Sequence, residues 1–444
     1  MAGAEEQRHL HHFHIPSSFP HLGKAGLKNP AIVGKNFAMG HRSLFGSLLA
    51  ASVLALPLGA KAEISQPEGA PPASQIVPQD SSHRSISGLF SGIPWAANNL
   101  IVGATSTATQ AGGGNPIFNP TMPAYAGVAT LLITKGSQGS FICSGSLLDD
   151  RRSILTAAHC ISDNLGNLNA TAASAYFYDG SLTPPYDPDT VVWSSPASTA
   201  VNVSNYFIAP GYSGAVIEND DIAVLRLSSE APSFATSYGL YVNNLMSTSF
   251  NVAGYGQRSN VGGNVGANQA SGLLRQGDNR YEFQWSDPNF NNAFTVDPDF
   301  INGANTWVAD FDNGLAANDA GCIIAADTNP SLANNPTYCN LGVGAKEAAI
   351  ASGDSGSPGF VNGAIASISS YGLSFGPTYG DINSGLNASF GEFSGYVPVS
   401  SHVAFIESVK VPGPLPIAGA ATMFSWSRRL RRRIAATRRS PISA

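Results

Sequence analysis

The chain of 444 residues is 43% hydrophobic but only 12% charged. This composition excludes a wholly disordered chain, and the length allows two or three ordinary domains or one large β domain with extensions. The net charge of −6 is unevenly spread: residues 63–411 hold 10 basic and 27 acidic side chains, a balance of 10 − 27 = −17, so charge argues against nucleic acid as a partner of the central body.

In chain order, the first recognisable element begins at Met39. Gly40-His41-Arg42 gives a short basic segment, Ser43 to Leu58 is apolar and small, and Ala60-Lys61-Ala62 has the form of a cleavage site. Together these parts make a secretory signal peptide, whose apolar run is too short for an ordinary membrane span. Residues 1–62 are therefore read as an N-terminal extension and signal peptide, with the start at Met39 and cleavage after Ala62. His9, His11, His12 and His14 could form a metal tract; the simpler reading is a segment that is discarded. Residues 63–100, rich in Pro, Ser and Gln, read as a linker or pro-segment.

Residues 101–410 form the main domain. From about Pro120 to Lys410 short β-branched and aromatic runs alternate with Gly, Pro and Asn, as in Ala129 to Thr134, Ser174 to Tyr178 and Ile222 to Leu227. Many short strands between turn signals predict an all-β barrel or sandwich. Residues 259–272 read as a Gly/Asn-rich loop and 284–321 as an insertion. Cys143, Cys160, Cys322 and Cys339 make an even count, which in an exported chain predicts two disulfides. No Cys-x-x-Cys is present, so a zinc site is not expected.

The tail, residues 411–444, joins Val411-Pro412-Gly413-Pro414-Leu415-Pro416 to a short apolar run and then to Arg428-Arg429-Leu430-Arg431-Arg432-Arg433. It resembles a PEP-CTERM-type sorting signal in a form seen in cyanobacteria. That resemblance implies export to the surface or exterior of a bacterium, handling by export machinery and an exosortase-type enzyme, and transient membrane contact. The positive-inside preference of arginine agrees. The alternative is an amphipathic or disordered basic tail.

Three segments carry candidate chemistry. Residues 63–411 contain three histidines, His83, His159 and His402, so any imidazole base is one of these. His83 lies in the linker and His402 in a final helix-like segment; His159 follows the apolar stretch Ser153-Ile154-Leu155 and precedes Cys160. In Gly353-Asp354-Ser355-Gly356 glycines flank a serine, allowing a tight turn in which the N–H groups of Gly353 and Ser355 converge as an oxyanion hole. A serine hydroxyl needs a base to become nucleophilic, and His159 can supply it. Asp221 heads the apolar strand Ile222 to Leu227, where a carboxylate is costly unless paired; His159 is a natural partner, and Asp220 is read as facing solvent.

In the order His159, Asp221, Ser355, these motifs resemble the chymotrypsin/trypsin-like serine proteases over about Ala124 to Ser408. The resemblance implies two six-stranded antiparallel β-barrels with a C-terminal helix, and an active site in the cleft between them. It implies a serine endopeptidase acting on protein or peptide substrates with His159, Asp221 and Ser355 as triad and no cofactor or metal. It pairs Cys143 with Cys160 and Cys322 with Cys339. It matches Gly254-Tyr255-Gly256 to a strand turn, Leu273 to Gln276 to the next strand, and Tyr396 to Ile406 to the last strand and helix. Ala349 falls at the base of the specificity pocket, with Ser370, Gly372 and Ser394 on its walls. No carboxylate stands at that base, so uncharged side chains, apolar or small, are expected before the scissile bond, unless Asp381 projects into the pocket. Ile101 resembles a zymogen-derived N-terminus whose amine pairs with Asp354, although Leu100, not a basic residue, precedes it.

Asp310-Phe311-Asp312-Asn313-Gly314 hints at calcium but lacks the spacing of an EF-hand loop, and is read as a polar turn. Two other functional classes compete: a protease-fold adhesin or binding module that no longer cleaves, and a serine esterase. The triad residues argue against the first, and the missing Gly-x-Ser-x-Gly elbow against the second.

Overall fold

The computed structural model describes residues 86–90, 93–98, 101–181, 192 and 195–410; the signal peptide and sorting tail read above lie outside them. Strands β1 (Ile86–Phe90) and β2 (Ile93–Asn98) form a hairpin within the stretch read as a linker, and a two-residue strand β3 (Val102–Gly103) follows.

Strands β4 (Val128–Thr134), β5 (Ser140–Leu147), β6 (Ser153–Thr156), β7 (Ala172–Tyr178), β8 (Ser198–Ile208) and β9 (Ala223–Leu227) close into a barrel in the order β4-β5-β6-β9-β8-β7. Strands β4, β6, β7 and β9 are buried on both faces almost throughout, whereas β8 is partly exposed over its first half. Successive side chains point to opposite faces. Leu131 and Ile133 pack inward with Ile154, Phe177 and Leu225. Val128, Leu132, Leu155 and Val224 pack outward against Tyr255, Phe360, Ile368 and Val397 of the second sheet. The outer layer therefore glues the two sheets together.

The second sheet uses β10 (Ser249–Gly254), β11 (Arg275–Arg280), β12 (Phe283–Gln284) and β13 (Trp307–Asp310). Beyond β14 (Ala348–Ala349), which pairs with β3, it adds β15 (Pro358–Val361), β16 (Ala364–Ser374) and β17 (Phe393–Pro398). Its order is β11-β10-β15-β16-β17-β13-β12, and β2 joins it on β16. Among the described residues this ladder is not continuous all round, as the expected second closed six-stranded barrel would require. The first and last strands of this path are consecutive in the chain, separated by Tyr281 and Glu282. At that bend the backbone changes partner: Tyr281 N–H donates to Thr248 and Glu282 N–H to Val308, so a bent run of chain, and not a direct strand–strand ladder, joins the two ends of the path.

Helix α1 (Ala320–Thr328) starts at Asp319, whose side chain accepts from Cys322 N at 2.8 Å. Helix α2 (Val403–Val409) ends the described chain, as the sequence predicts. No helix among the described residues is long and apolar enough to cross a membrane. Both expected disulfides, Cys143–Cys160 and Cys322–Cys339, are formed.

Residues 284–321, read as an insertion, build a core of their own. Trp285, Phe290, Phe294 and Phe300 are fully buried and pack against one another and against Phe375 and Phe393, mostly edge to face, with Phe300 stacked on Phe375. The buried Arg275 ties the segment after β3 to β11, donating to the carbonyls of Thr107 at 2.8 Å and Ala108 at 3.1 Å and to its neighbour Leu274 at 2.8 Å. Arg275→Leu leaves those acceptors buried without their donor and should lower the unfolding free energy by about 2–3 kcal/mol. Denaturant unfolding would show a lower midpoint with unchanged slope, and an unchanged midpoint would refute that role.

Candidate active site

Strand register brings His159 and Asp221 together. Antiparallel pairing of β6 with β9 sets Thr156 opposite Ala223. Continued past the strand ends, that register places the residues just after β6 beside those just before β9. His159 sits there in a tight 3-10 turn, Ala158–Cys160, and its Nδ1 lies 2.7 Å from Asp221 Oδ2. The His159 backbone N–H donates to Asp221 Oδ1 at 2.8 Å. Lys135 Nζ, buried beneath, donates to the carbonyl of His159 at 2.9 Å and of Ser162 at 3.0 Å, and the Cys143–Cys160 disulfide fastens the turn to β5.

Asp221 is 1% exposed. Burial opposes its ionisation, but the facing imidazole, the hydrogen bonds from His159 and the Ser370 hydroxyl outweigh burial and hold its carboxyl below the usual range. An ionised carboxylate only accepts, so Nδ1 of His159 is the ring nitrogen that donates to Asp221. Asp220, the neighbouring carboxylate, faces His402 at 3.8 Å and not His159.

Ser370 was expected on the pocket wall, yet its Oγ donates to Asp221 Oδ2 at 2.6 Å. The cause is a bulge. The β16–β17 register shifts between Ser369 and Tyr371, leaving Ser370 out of the ladder. Bulges re-aim a side chain in this way. Nothing in the period-two pattern of β16 signals this, so sequence reasoning missed the role.

The serine loop is fixed on three sides. Gly353 at φ +94° and Gly356 at φ +80° occupy backbone conformations that favour glycine. Ser144 Oγ donates to the Gly353 carbonyl at 2.9 Å, Ser144 N–H to the Ser355 carbonyl at 2.8 Å, and Gly356 N–H to Ser369 at 2.8 Å. A Cβ on Gly356 would lie 2.1 Å from Thr156 Oγ1 and 2.7 Å from Ala157 N, so this glycine is what lets the loop press against the strand end carrying His159. The Ser355 carbonyl also lies 3.7 Å from Cys160 Sγ. Hydrogen bonds thus join His159, Asp221 and Ser370, while the backbone around Ser355 packs on the residues either side of His159.

The other predicted residues fall as follows. Ser394 stands opposite Gly372 on adjacent strands, and its Oγ accepts from the N–H of Ile350, the residue after Ala349. Ser394 therefore stands beside Gly372 and is bonded to the residue that follows Ala349. Asp381 is buried and engaged by the Ser374 and Ser389 hydroxyls and by Asn383 N–H. Asp354 is fully buried; its carboxylate accepts from Gly256 N–H at 2.8 Å and Ala351 N–H at 2.9 Å, and burial pushes its pKa well above the ordinary range. Ile101, in the uncut chain, packs in the same apolar cluster as Ala349, Ile350 and Ala351.

Residues 122–286 match the family model described as Trypsin. The match includes His159 and Asp221, ends before Ser355, and covers well under half of the chain. Among solved structures, one of HL collagenase is 19% identical, with a TM-score of 0.39 over 64% of this chain and 92% of its own. So low a TM-score marks a partial superposition and bears on neither activity nor substrate. No curated protein matches.

The folded Asp221 carboxyl holds its proton less tightly than the unfolded one, whose reference value is 3.8. Its pairing therefore stabilises the fold above that value and is lost as pH falls through the lower folded value. Ser370→Ala removes one donor and should shift the acid limb of a thermal unfolding series to higher pH, while lowering stability near neutrality by about 1–3 kcal/mol. Superimposable acid limbs would contradict the assignment.

Proposed function

We propose that this chain is an exported serine endopeptidase that cleaves peptide bonds through an acyl-enzyme. The observation that carries this reading is the buried His159–Asp221 pair, bonded at 2.7 Å beneath the loop that carries Ser355. In the proposed reaction Nε2 of His159 takes the proton of Ser355 Oγ as the oxygen attacks the scissile carbonyl. The resulting oxyanion is received by the N–H groups of Gly353 and Ser355. His159 then protonates the leaving amine, the C–N bond breaks, and water, activated by the same imidazole, releases the acid and restores Ser355. Asp221 holds the ring in its tautomer and stabilises the imidazolium, and Ser370 positions Asp221.

Ala349, Gly372 and Ser394 offer no charge, and Asp381 is occupied by its own hydrogen bonds. These observations support uncharged side chains, apolar or small, before the scissile bond. The buried Asp354 has no cationic partner among the described residues. A cut between Leu100 and Ile101 would free an amine next to the cluster that contains Ala351, supporting activation by processing. The signal-like and sorting-like ends support export to the surface or exterior of a bacterium, cyanobacterial by its tail motif. They also support transient membrane contact and handling by an exosortase-type enzyme.

A fluorophosphonate probe should label the secreted protein on Ser355, and Ser355→Ala should abolish labelling. Asp221→Asn should slow peptide cleavage by about 10⁴-fold while leaving the fold intact. A wild-type chain that takes no label and cleaves nothing would support a binding module instead. On a peptide panel, strict cleavage after Arg or Lys would reject the neutral-pocket reading. N-terminal sequencing of the active form should begin at Ile101, and an active form still carrying Leu100 would reject that processing.

A further inference from the structure

Far from the histidine, the second sheet buries an unusual concentration of carboxylates. Glu282, in the bend between β11 and β12, Asp310, ending β13, and Asp312 just beyond it are each at most 2% exposed. One carboxylate oxygen from each lies within 4.8 Å of the others. Asp319 and Glu347, also buried, stand around them. Among the described residues no lysine or arginine pairs with any of the five. Burying several acids together without a cation is costly, because each pays desolvation and repels the next.

The outer oxygens are held and the inner ones are left open. Gly321 N–H donates to Asp310 Oδ2 at 2.7 Å, Asn340 donates to Glu282 Oε1, and Asp312 N–H donates to Glu347 Oε1 at 2.9 Å. By contrast, Glu282 Oε2 and both carboxylate oxygens of Asp312 are buried and receive no hydrogen bond from any donor outside the carboxylate cluster. Buried acceptors with no donor from outside the cluster, in three carboxylates that each bring one oxygen within 4.8 Å of the others, are what a cation would satisfy. The Cys322–Cys339 disulfide ties α1, which supplies Gly321, to the segment supplying Asn340, so the two walls are covalently fixed. A cavity of about 480 Å³, lined by Asp312, Glu347, Asn313, Leu341 and Gly344 among others, opens onto Asp312 and gives a cation and its waters a way in.

We propose that Glu282, Asp310 and Asp312 bind a calcium ion, with solvent completing its shell. All-oxygen, carboxylate-rich ligation suits a hard cation, and calcium accepts the irregular geometry of six to eight ligands that magnesium resists. Without sulfur or imidazole donors the set does not favour zinc or copper. The sequence suggested a polar turn here; residues 313–315 do turn, with Asn313 Oδ1 accepting from Leu315 N–H, but Asp310 and Asp312 point inward. The ion would brace residues 342–347, since Glu347 accepts from Asp312 and Val343 and leads directly into β14 and Ala349. The competing state is a proton-sharing cluster: with no cation, burial and the charges of Asp310 and Glu282 push Asp312 up to about 12.

The test uses the full chain carrying Ser355→Ala, so that self-cleavage cannot move a melting curve, dialysed against EDTA. Calorimetric titration with calcium chloride should show one site, and calcium should raise the melting temperature by on the order of 5 °C. Magnesium chloride should do much less. Asp312→Asn and Glu282→Gln, which relieve repulsion, should melt at the same or a higher temperature in EDTA, bind calcium at least about 10-fold more weakly and lose the calcium-induced rise. No heat and no shift in the parent chain would overturn the proposal in favour of the proton-sharing cluster. An equal shift with magnesium, or a shift that survives in both variants, would also overturn it.

Discussion

Everything around the candidate active site is arranged to keep one carboxylate charged in a dry place. Asp221 sits where the first barrel meets the second sheet, and a bare charge there would not survive. Its partners come from both halves: His159 from the turn after β6 and Ser370 from the bulge in β16. The hydrogen bonds that solve the local charge problem therefore also join the two sheets. They are polar fasteners within an otherwise apolar seam formed by Val128, Leu155, Val224, Tyr255, Phe360 and Ile368.

A second constraint is steric. The loop carrying Ser355 approaches the first barrel so closely that Gly356 has no room for a Cβ, and Ser144 bonds that loop through both its hydroxyl and its amide. Ser144 lies next to Cys143, whose disulfide partner Cys160 follows His159. One short piece of β5 thus holds the histidine turn covalently and the serine loop by hydrogen bonds. Preorganisation of this kind lets catalytic groups act without paying for rearrangement at the moment of reaction.

Much of this was legible in the sequence. Taken singly the motifs around His159, Asp221 and Ser355 are modest signals; their order along the chain pointed to one site, and the short strand-like runs between turn signals gave the β class. The first barrel followed from the family resemblance, since short strands between turn signals alone left barrel and sandwich both open. Three features were not. Ser370 reaches Asp221 through a bulge, a register irregularity that residue types do not encode. The two ends of the second sheet are joined by the chain itself, where partners change at Tyr281 and Glu282, a tertiary choice invisible to local pattern. The segment 284–321 looked featureless because its aromatic residues follow neither helix nor strand spacing, yet Trp285, Phe290, Phe294 and Phe300 form a core of edge-to-face rings. Likewise Asp310 and Asp312 resemble a surface turn until β13 is seen to carry them inside.

The account turns on the protonation state that Asp221 imposes on His159. Nitrogen-15 NMR of the histidine-labelled protein at neutral pH reads this directly, through the couplings of each ring nitrogen to the ring protons. The account predicts that His159 carries its proton on Nδ1, with Nε2 bare. A His159 ring protonated on Nε2, with Nδ1 bare, would contradict the proposed activation of Ser355.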